Sequence, residues 1–345
     1  MSQTVLPPEW TPQSGVMITW PHAQSDWRDR LADVEPVYML LARHITRREK
    51  LLVICWDEVH AAHVKKRLHA AEADLQNVIL YCVHSNDTWT RDYGPLTVLD
   101  HGKPRLLDFI FNGWGDKFDA GLDNRVTRRL HEAGIFAKTP LCAIDLVMEG
   151  GSIEVDGRGS LLTTENCLLA PTRNPGLDRA QVEEQLRDRF GVTNILWLRH
   201  GHLKGDDTDS HIDTLARFCG SHTIAYVSCD DPGDEHYAGL RRMEAELSAC
   251  RDIQGKPYHL VPLPWPAAKY DAEDGRRLAA SYANFLIING AVLVPTYDDP
   301  VDEEVLRRLR DCFPDRELIG VPCLPLIRQN GSLHCITMQL PAGVL

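Results

Sequence analysis

Cys335 follows His334 directly in "NGSLHCITMQLP" and is one of ten cysteines in the 345-residue chain. A free Cys is ordinarily a small buried hydrophobe, here on a strand-like run, so it becomes a candidate nucleophile only beside polar partners. Three other segments offer them. In "GDDTDSHIDTLARF", His211 and Asp213 stand at i and i+2, and an extended segment would point both the same way. Its aspartates could also mark a calcium loop, but the EF-hand spacing and its later Glu are missing. In "NDTWTRDYGP", Asp87, Arg91 and Asp92 crowd with Trp89 and Tyr93 ahead of a Gly-Pro turn. That is either a solvated loop or a carboxylate against an aromatic wall, suited to a planar cation. In "MEGGSIEVDG", Glu149 ends an apolar run before two glycines, which marks a plain turn or close backbone packing around a site. Together, a late Cys, a His-x-Asp and two further acids suit thiolate attack on a guanidinium carbon. Carboxylates would hold the cation and a histidine would move protons.

The elements that must position these groups alternate along the chain. Strand-length apolar runs include "GVMITW", "KLLVICW", "NVILYCV", "PLTVLD", "RLLDFIF", "SLLTTENCLL", "NILWLRH", "TIAYVSC", "FLIINGAVLVPTY" and "SLHCITMQL". Amphipathic helical segments lie between them. "DNRVTRRLHEAG" puts Val126, Leu130 and Ala133 on one face and closes at Gly134, and "DRAQVEEQLRDRFG", "DEHYAGLRRMEAELSACRD" and "DEEVLRRLRDCF" also open on acidic residues. About five strand groups with a helix can be discerned, without a sequence repeat and without a clean βαβ series. No linker interrupts the pattern, so residues 1–345 read as a single domain. The GxGxxG and GxxxxGK[ST] motifs are absent, which removes dinucleotide and P-loop readings.

Composition narrows the partners. A formal net charge of −12 argues against nucleic acid and anionic membranes and is compatible with a cationic ligand. No secretory signal and no run of membrane-helix length is visible. The cysteines are scattered, with no CxxC and no zinc-ligand spacing, so reduced thiols and a cytoplasmic location are expected.

In this order, "NDTWTRDYGP", "EGGSIEVDGRGSLLTTE", "SHID", "NGAVLVP" and "HCIT" resemble the agmatine deiminase and bacterial peptidylarginine deiminase family of guanidino-group-modifying enzymes. "PPEWTPQSGVMITWPH" and "DFIFNGWGDKF" match as well, so the resemblance covers nearly the whole chain. It implies an α/β pentein fold, five ββαβ units around a pseudo-fivefold axis, with no metal or organic cofactor and a small cationic guanidino substrate. It further implies that Cys335 is the nucleophile, His211 the general acid/base and Glu149 the carboxylate that orients it. Asp92 and Asp213 would grip the guanidinium, Trp89 would form a wall, and Asn289 would lie near the nucleophile. A homodimer is expected at the family level only.

The chain departs from the family pattern at Glu154, where His is common, at Ser210 in place of Gly, and at Thr214 in place of Asn. These positions shape loops and leave the substrate's tail open. Asp207, Asp209 and Trp114 are the candidate distal residues, and the acidic run before His211 favours agmatine over free or peptidyl arginine. Amidino transfer by the same fold is the remaining enzymatic alternative.

Overall fold

The computed structural model describes residues 4–345, and among them are five separate sheets. Four follow one plan. Leu96–Asp100 runs antiparallel to Lys103–Ile110, which then runs parallel to Leu141–Val147. Ile153–Val155, Ser160–Thr164 and Asn194–Leu198 repeat that antiparallel-then-parallel order. Ala216–Gly220, Thr223–Val227 and His259–Leu263 do the same, as do Leu286–Ile288, Ala291–Thr296 and Glu317–Pro322. A parallel pair needs a long crossover. Each is carried by a helix: Val126–Glu132, Arg179–Phe190, Tyr237–Ala249 and Asp302–Cys312.

The fifth sheet obeys the plan with its first strand borrowed from late in the chain. Thr337–Pro341 pairs antiparallel with Gln13–Thr19, which is parallel to Lys50–Cys55 after the helix Leu31–Thr46. Val78–Cys82 extends this sheet beyond Lys50–Cys55, and Thr4–Val5 caps the edge of Leu96–Asp100. The five-unit repetition hinted at by the sequence is therefore present as five β-β-α-β sets.

Local chemistry explains the best-defined helix. Asp178 caps Arg179–Phe190 in a reciprocal capping box with Gln181, and Gly191 closes it at φ 67°. Helix Leu31–Thr46 escaped the sequence reading because Pro36 interrupts its pattern, and Glu58–Ala70 because only Val64 and Leu68 are buried. Apolar side chains from all five sheets join one contiguous buried cluster. Among the described residues, no helix is long and apolar enough to cross a membrane.

Candidate active site

Cys335 does not lie on a strand. It occupies a turn just before Thr337–Pro341, closed by the N–H and Oγ1 of Thr337, which donate to the His334 carbonyl at 3.0 and 2.9 Å. The loop is anchored from both sides. Arg91 N–H donates to the Cys335 carbonyl at 3.1 Å, and Asn284 Oδ1 accepts the His334 N–H at 2.9 Å and the Cys335 thiol at 3.4 Å. A turn suits a nucleophile better than a strand does, because ladder bonds are not needed there and Sγ is free to face a cavity.

His211 and Asp213 also depart from the extended reading. His211 precedes a short 3-10 turn, Ile212–Thr214. Asp209 and Ser210 before it both have positive φ, 66° and 68°. Ser210 therefore holds the left-handed backbone that a glycine adopts without strain. The Asp206 carboxylate accepts its N–H at 2.7 Å, and Thr164 Oγ1 donates to its carbonyl at 2.8 Å.

These groups converge on Gly151. A Cβ there would lie 2.6 Å from His211 Nδ1, 3.0 Å from Asp92 Oδ1 and 3.1 Å from Asp213 Oδ2. The second glycine of "MEGGS" is therefore a clearing around which three catalytic candidates stand. Asp92 lies on the one-turn helix Thr90–Tyr93, with Gly151 N–H donating to Oδ1 at 3.0 Å and Trp114 Nε1 donating to Oδ2 at 2.9 Å. Asp213 Oδ2 accepts from His334 Nδ1 at 2.7 Å and lies 4.0 Å from Cys335 Sγ, while its buried Oδ1 has no partner.

Glu149 is fully buried and accepts from Arg173 Nε at 2.9 Å. It stands with His211 and Cys167 in a trio whose ligand atoms lie within 4.8 Å of one another. That donor set could hold a soft divalent ion, but the fixed Arg173 cation against Glu149 opposes one.

Electrostatics sort the roles. Burial alone would strip the proton from His211, but Asp92, Cys167 and Glu149 outweigh it and hold the imidazole well above its ordinary pKa. Burial pushes Asp92 up to about 6 against the pull of His211. Burial, then Asp213 and Asp92, push the Cys335 thiol well above its usual value. His211 is thus held protonated and Cys335 as a thiol, with Asp92 and Asp213 close to both.

A cavity of ≈ 400 Å³ opens onto Cys335 and Asp92 between Trp89 and Trp114. Trp89 takes its place because Gly331 opposite has no side chain, and a Cβ there would lie 2.1 Å from the indole. Farther out, Asp207 lines the cavity and accepts from Asn330 Nδ2 at 2.7 Å. Asp209 is instead engaged with Arg173 and with Lys117, the latter at 2.8 Å.

Asn289 is not beside Cys335. It sits at the turn before Gly290, where its side chain bonds the N–H and carbonyl of Gln13 at 3.1 and 2.9 Å. Asn284 takes the place beside Cys335 that the resemblance had suggested for Asn289. An Asn-Gly pair between two strands is a turn signal, and that signal accounts for Asn289. Glu9, His334, Arg217 and Arg173 form buried ion pairs around the site and were not identified from sequence.

The profile of the Porphyromonas-type peptidyl-arginine deiminases matches residues 5–341. The chain belongs to that family. It is similar to the agmatine deiminase of Stutzerimonas stutzeri, 37% identical over 98% of this chain and 95% of that one. Among solved structures of the family, a protein from Porphyromonas gingivalis provisionally named an arginine deiminase is 49% identical, with a TM-score of 0.92 over 99% of each chain. The agmatine deiminase of C. jejuni with substrate bound is 38% identical, with a TM-score of 0.91 over 99% of this chain and 97% of that one. An amidinotransferase from Microseira wollei is 12% identical with a TM-score of 0.55 and shares the fold alone. The fold is that of the penteins, as the resemblance implied.

Proposed function

We propose that this protein is an agmatine deiminase, a hydrolase that converts the guanidinium of agmatine to a carbamoyl group and ammonia through a covalent bond to Cys335. The observation that carries the reading is Asp213, whose Oδ2 stands with Asp92 about Gly151 and 4.0 Å from Sγ, while its buried Oδ1 has no partner. A buried carboxylate oxygen without a donor costs free energy that a guanidinium N–H would recover. The curated relatives named agmatine deiminases support the substrate.

A bound guanidinium adds positive charge next to the Cys335 thiol, so the thiol loses its proton to solvent as substrate arrives. The thiolate adds to the central carbon, and His211 protonates one amino group, which leaves as ammonia. The remaining S-alkylthiouronium is attacked by water, whose proton passes to the now neutral His211. Collapse of that adduct breaks the C–S bond, the hydroxyl proton passes to the departing sulfur, and the ureido product leaves with the Cys335 thiol restored. Glu149, held by Arg173, keeps the His211 ring in place.

The outer cavity carries Asp26, Asp87, Asp119, Asp123 and Asp207, which suits an ammonium tail. Arg276 and Arg328 at its mouth favour the runner-up, a free or peptidyl arginine, but Arg276 already donates to Asn330 and to the Arg328 carbonyl. The ten unpaired cysteines fit a reducing, cytoplasmic setting. The five β-β-α-β sets are read as standing around a common axis within one catalytic domain, with the site where they meet.

The test is ammonia release from the purified protein with agmatine, free arginine and a blocked peptidyl arginine at equal concentration, with Cys335→Ala as blank. Turnover of agmatine, lost in the variant, is expected. Turnover of the peptide alone moves the assignment to peptidyl arginine, and silence on all three overturns hydrolysis.

A further inference from the structure

His334 lies between two buried carboxylates. Its Nδ1 is 2.7 Å from Asp213 Oδ2 and its Nε2 is 2.7 Å from Glu9 Oε2. All three side chains are buried. A neutral imidazole has a single N–H, so one of these contacts would set a lone pair against a carboxylate oxygen. Two contacts of this length call for two protons between three groups.

Charge count favours placing both on the imidazole. Behind Glu9 stands Arg217, whose Nη2 donates to Oε2 at 2.9 Å and whose Nε pairs with Glu154, and Arg91 Nη2 is 3.7 Å from the same Glu9 oxygen. Burial pushes Glu154 up to about 7, and once it is ionised the carboxylates of Glu9, Glu154 and Asp213 face two guanidinium groups, which leaves one negative charge unbalanced unless His334 is a cation. Glu9 also accepts the Ile287 N–H at 2.6 Å through Oε1, so its hydrogen bonds are those of an ionised carboxylate. Burial, then Arg217 and Arg91, lower the His334 pKa against the pull of Glu9 and Asp213, and the two 2.7 Å carboxylate contacts are the ground for placing the second proton on the ring all the same. Both carboxylates are pulled below their usual range against the effect of burial: Glu9 by Arg217 and His334, Asp213 by His334 first.

We infer that His334 is a positioning residue held as an imidazolium by Glu9. It locks Asp213 through Oδ2, leaving the unpartnered Oδ1 to accept from the guanidinium, and it places a fixed positive charge beside the chain's own nucleophile, Cys335. The role in gripping substrate rests on the deiminase reading above. The charge beside the thiol does not, and the experiment separates the two.

Cys335 alkylation by iodoacetamide is followed across pH by mass spectrometry of its peptide in the wild type, His334→Gln and Glu9→Gln, with near-UV circular dichroism confirming the fold. Loss of a nearby cation slows thiolate formation, so His334→Gln should be alkylated ~10-fold more slowly near neutral pH, with its profile displaced to higher pH. Glu9→Gln gives a sign test even where His334→Gln fails to fold. If His334 is an imidazolium, removing Glu9 releases its proton, and loss of the nearer positive charge slows alkylation. If His334 is neutral, the same change removes only a negative charge and alkylation speeds up. Faster alkylation of Glu9→Gln, or an unchanged profile in a folded His334→Gln, overturns the inference.

With agmatine, His334→Gln should raise KM more than it lowers kcat, and equal KM values overturn the gripping role. A wild type inert toward agmatine sinks the substrate assignment while the alkylation profiles still decide the charge.

Discussion

Trp114 Nε1 donates to Oδ2 of Asp92 across 2.9 Å, while Trp114 itself sits at a backbone φ of 58°. The indole thus spends an uncommon conformation on fixing the plane of one carboxylate. With Gly151 N–H on the other oxygen, Asp92 has little freedom left to turn toward or away from a guanidinium.

Asp92 sets an acid limb. Burial raises the Asp92 pKa to about 6, so below that value the carboxyl takes a proton and its attraction for a cation disappears. The kcat/KM for agmatine should therefore climb with pH through about 6. Trp114→Phe deletes a hydrogen bond to the charged form and should move the limb to higher pH. A profile unaffected by Trp114→Phe would remove Asp92 from this role.

Gly151→Ala should abolish most activity with little change in melting temperature. The added methyl must enter space 2.6 Å from His211 Nδ1 and 3.0 Å from Asp92 Oδ1. Displacements approaching 1 Å at reacting groups cost on the order of 100-fold in rate. Steady-state kinetics beside a thermal melt will check it, and wild-type turnover would show that the clearing is not catalytic.

Arg173→Met leaves Glu149 buried without its guanidinium partner, with both side chains fully inaccessible in the native protein. Breaking a buried pair from one side costs about 3–5 kcal/mol, so the urea midpoint should fall markedly and activity with it. Glu149→Gln combined with Arg173→Met should recover part of the stability and none of the activity.

Gly331→Ala probes the cavity wall. Its Cβ would collide with the Trp89 indole at 2.1 Å and drive that ring into the cavity. Overpacking of this kind costs ~1–3 kcal/mol, so agmatine KM should rise about 10-fold or more with a smaller effect on kcat. A KM at the wild-type value would place substrate away from Trp89.

Residues that announce themselves locally were legible in the sequence. The capped helix at Arg179–Phe190, the acid after an apolar run at Glu149 and the glycine pair behind it all follow from short-range rules. The turn under Cys335 and the 3-10 geometry of Ile212–Thr214 were not, because alternation alone cannot separate a short strand from a tight loop. The displacement from Asn289 to Asn284 has the same origin, since an Asn-Gly turn and a site asparagine look alike in print. Glu9 and His334 lie far apart in sequence, and nothing in "PPEW" hints that its acid will meet an imidazole beside Cys335. Only the folded chain brings such pairs into contact.

The strand that follows Cys335 completes the sheet begun by Gln13–Thr19, a pairing between the early and late reaches of the chain. During synthesis, Asp92, His211 and Asp213 are all in existence before the thiol that needs them. The first sheet waits with an open antiparallel edge until Thr337–Pro341 arrives to close it. Long-range pairings of this kind form slowly. A nascent or prematurely terminated product therefore has walls for a cation but no chemistry, and activity switches on only with the closing strand.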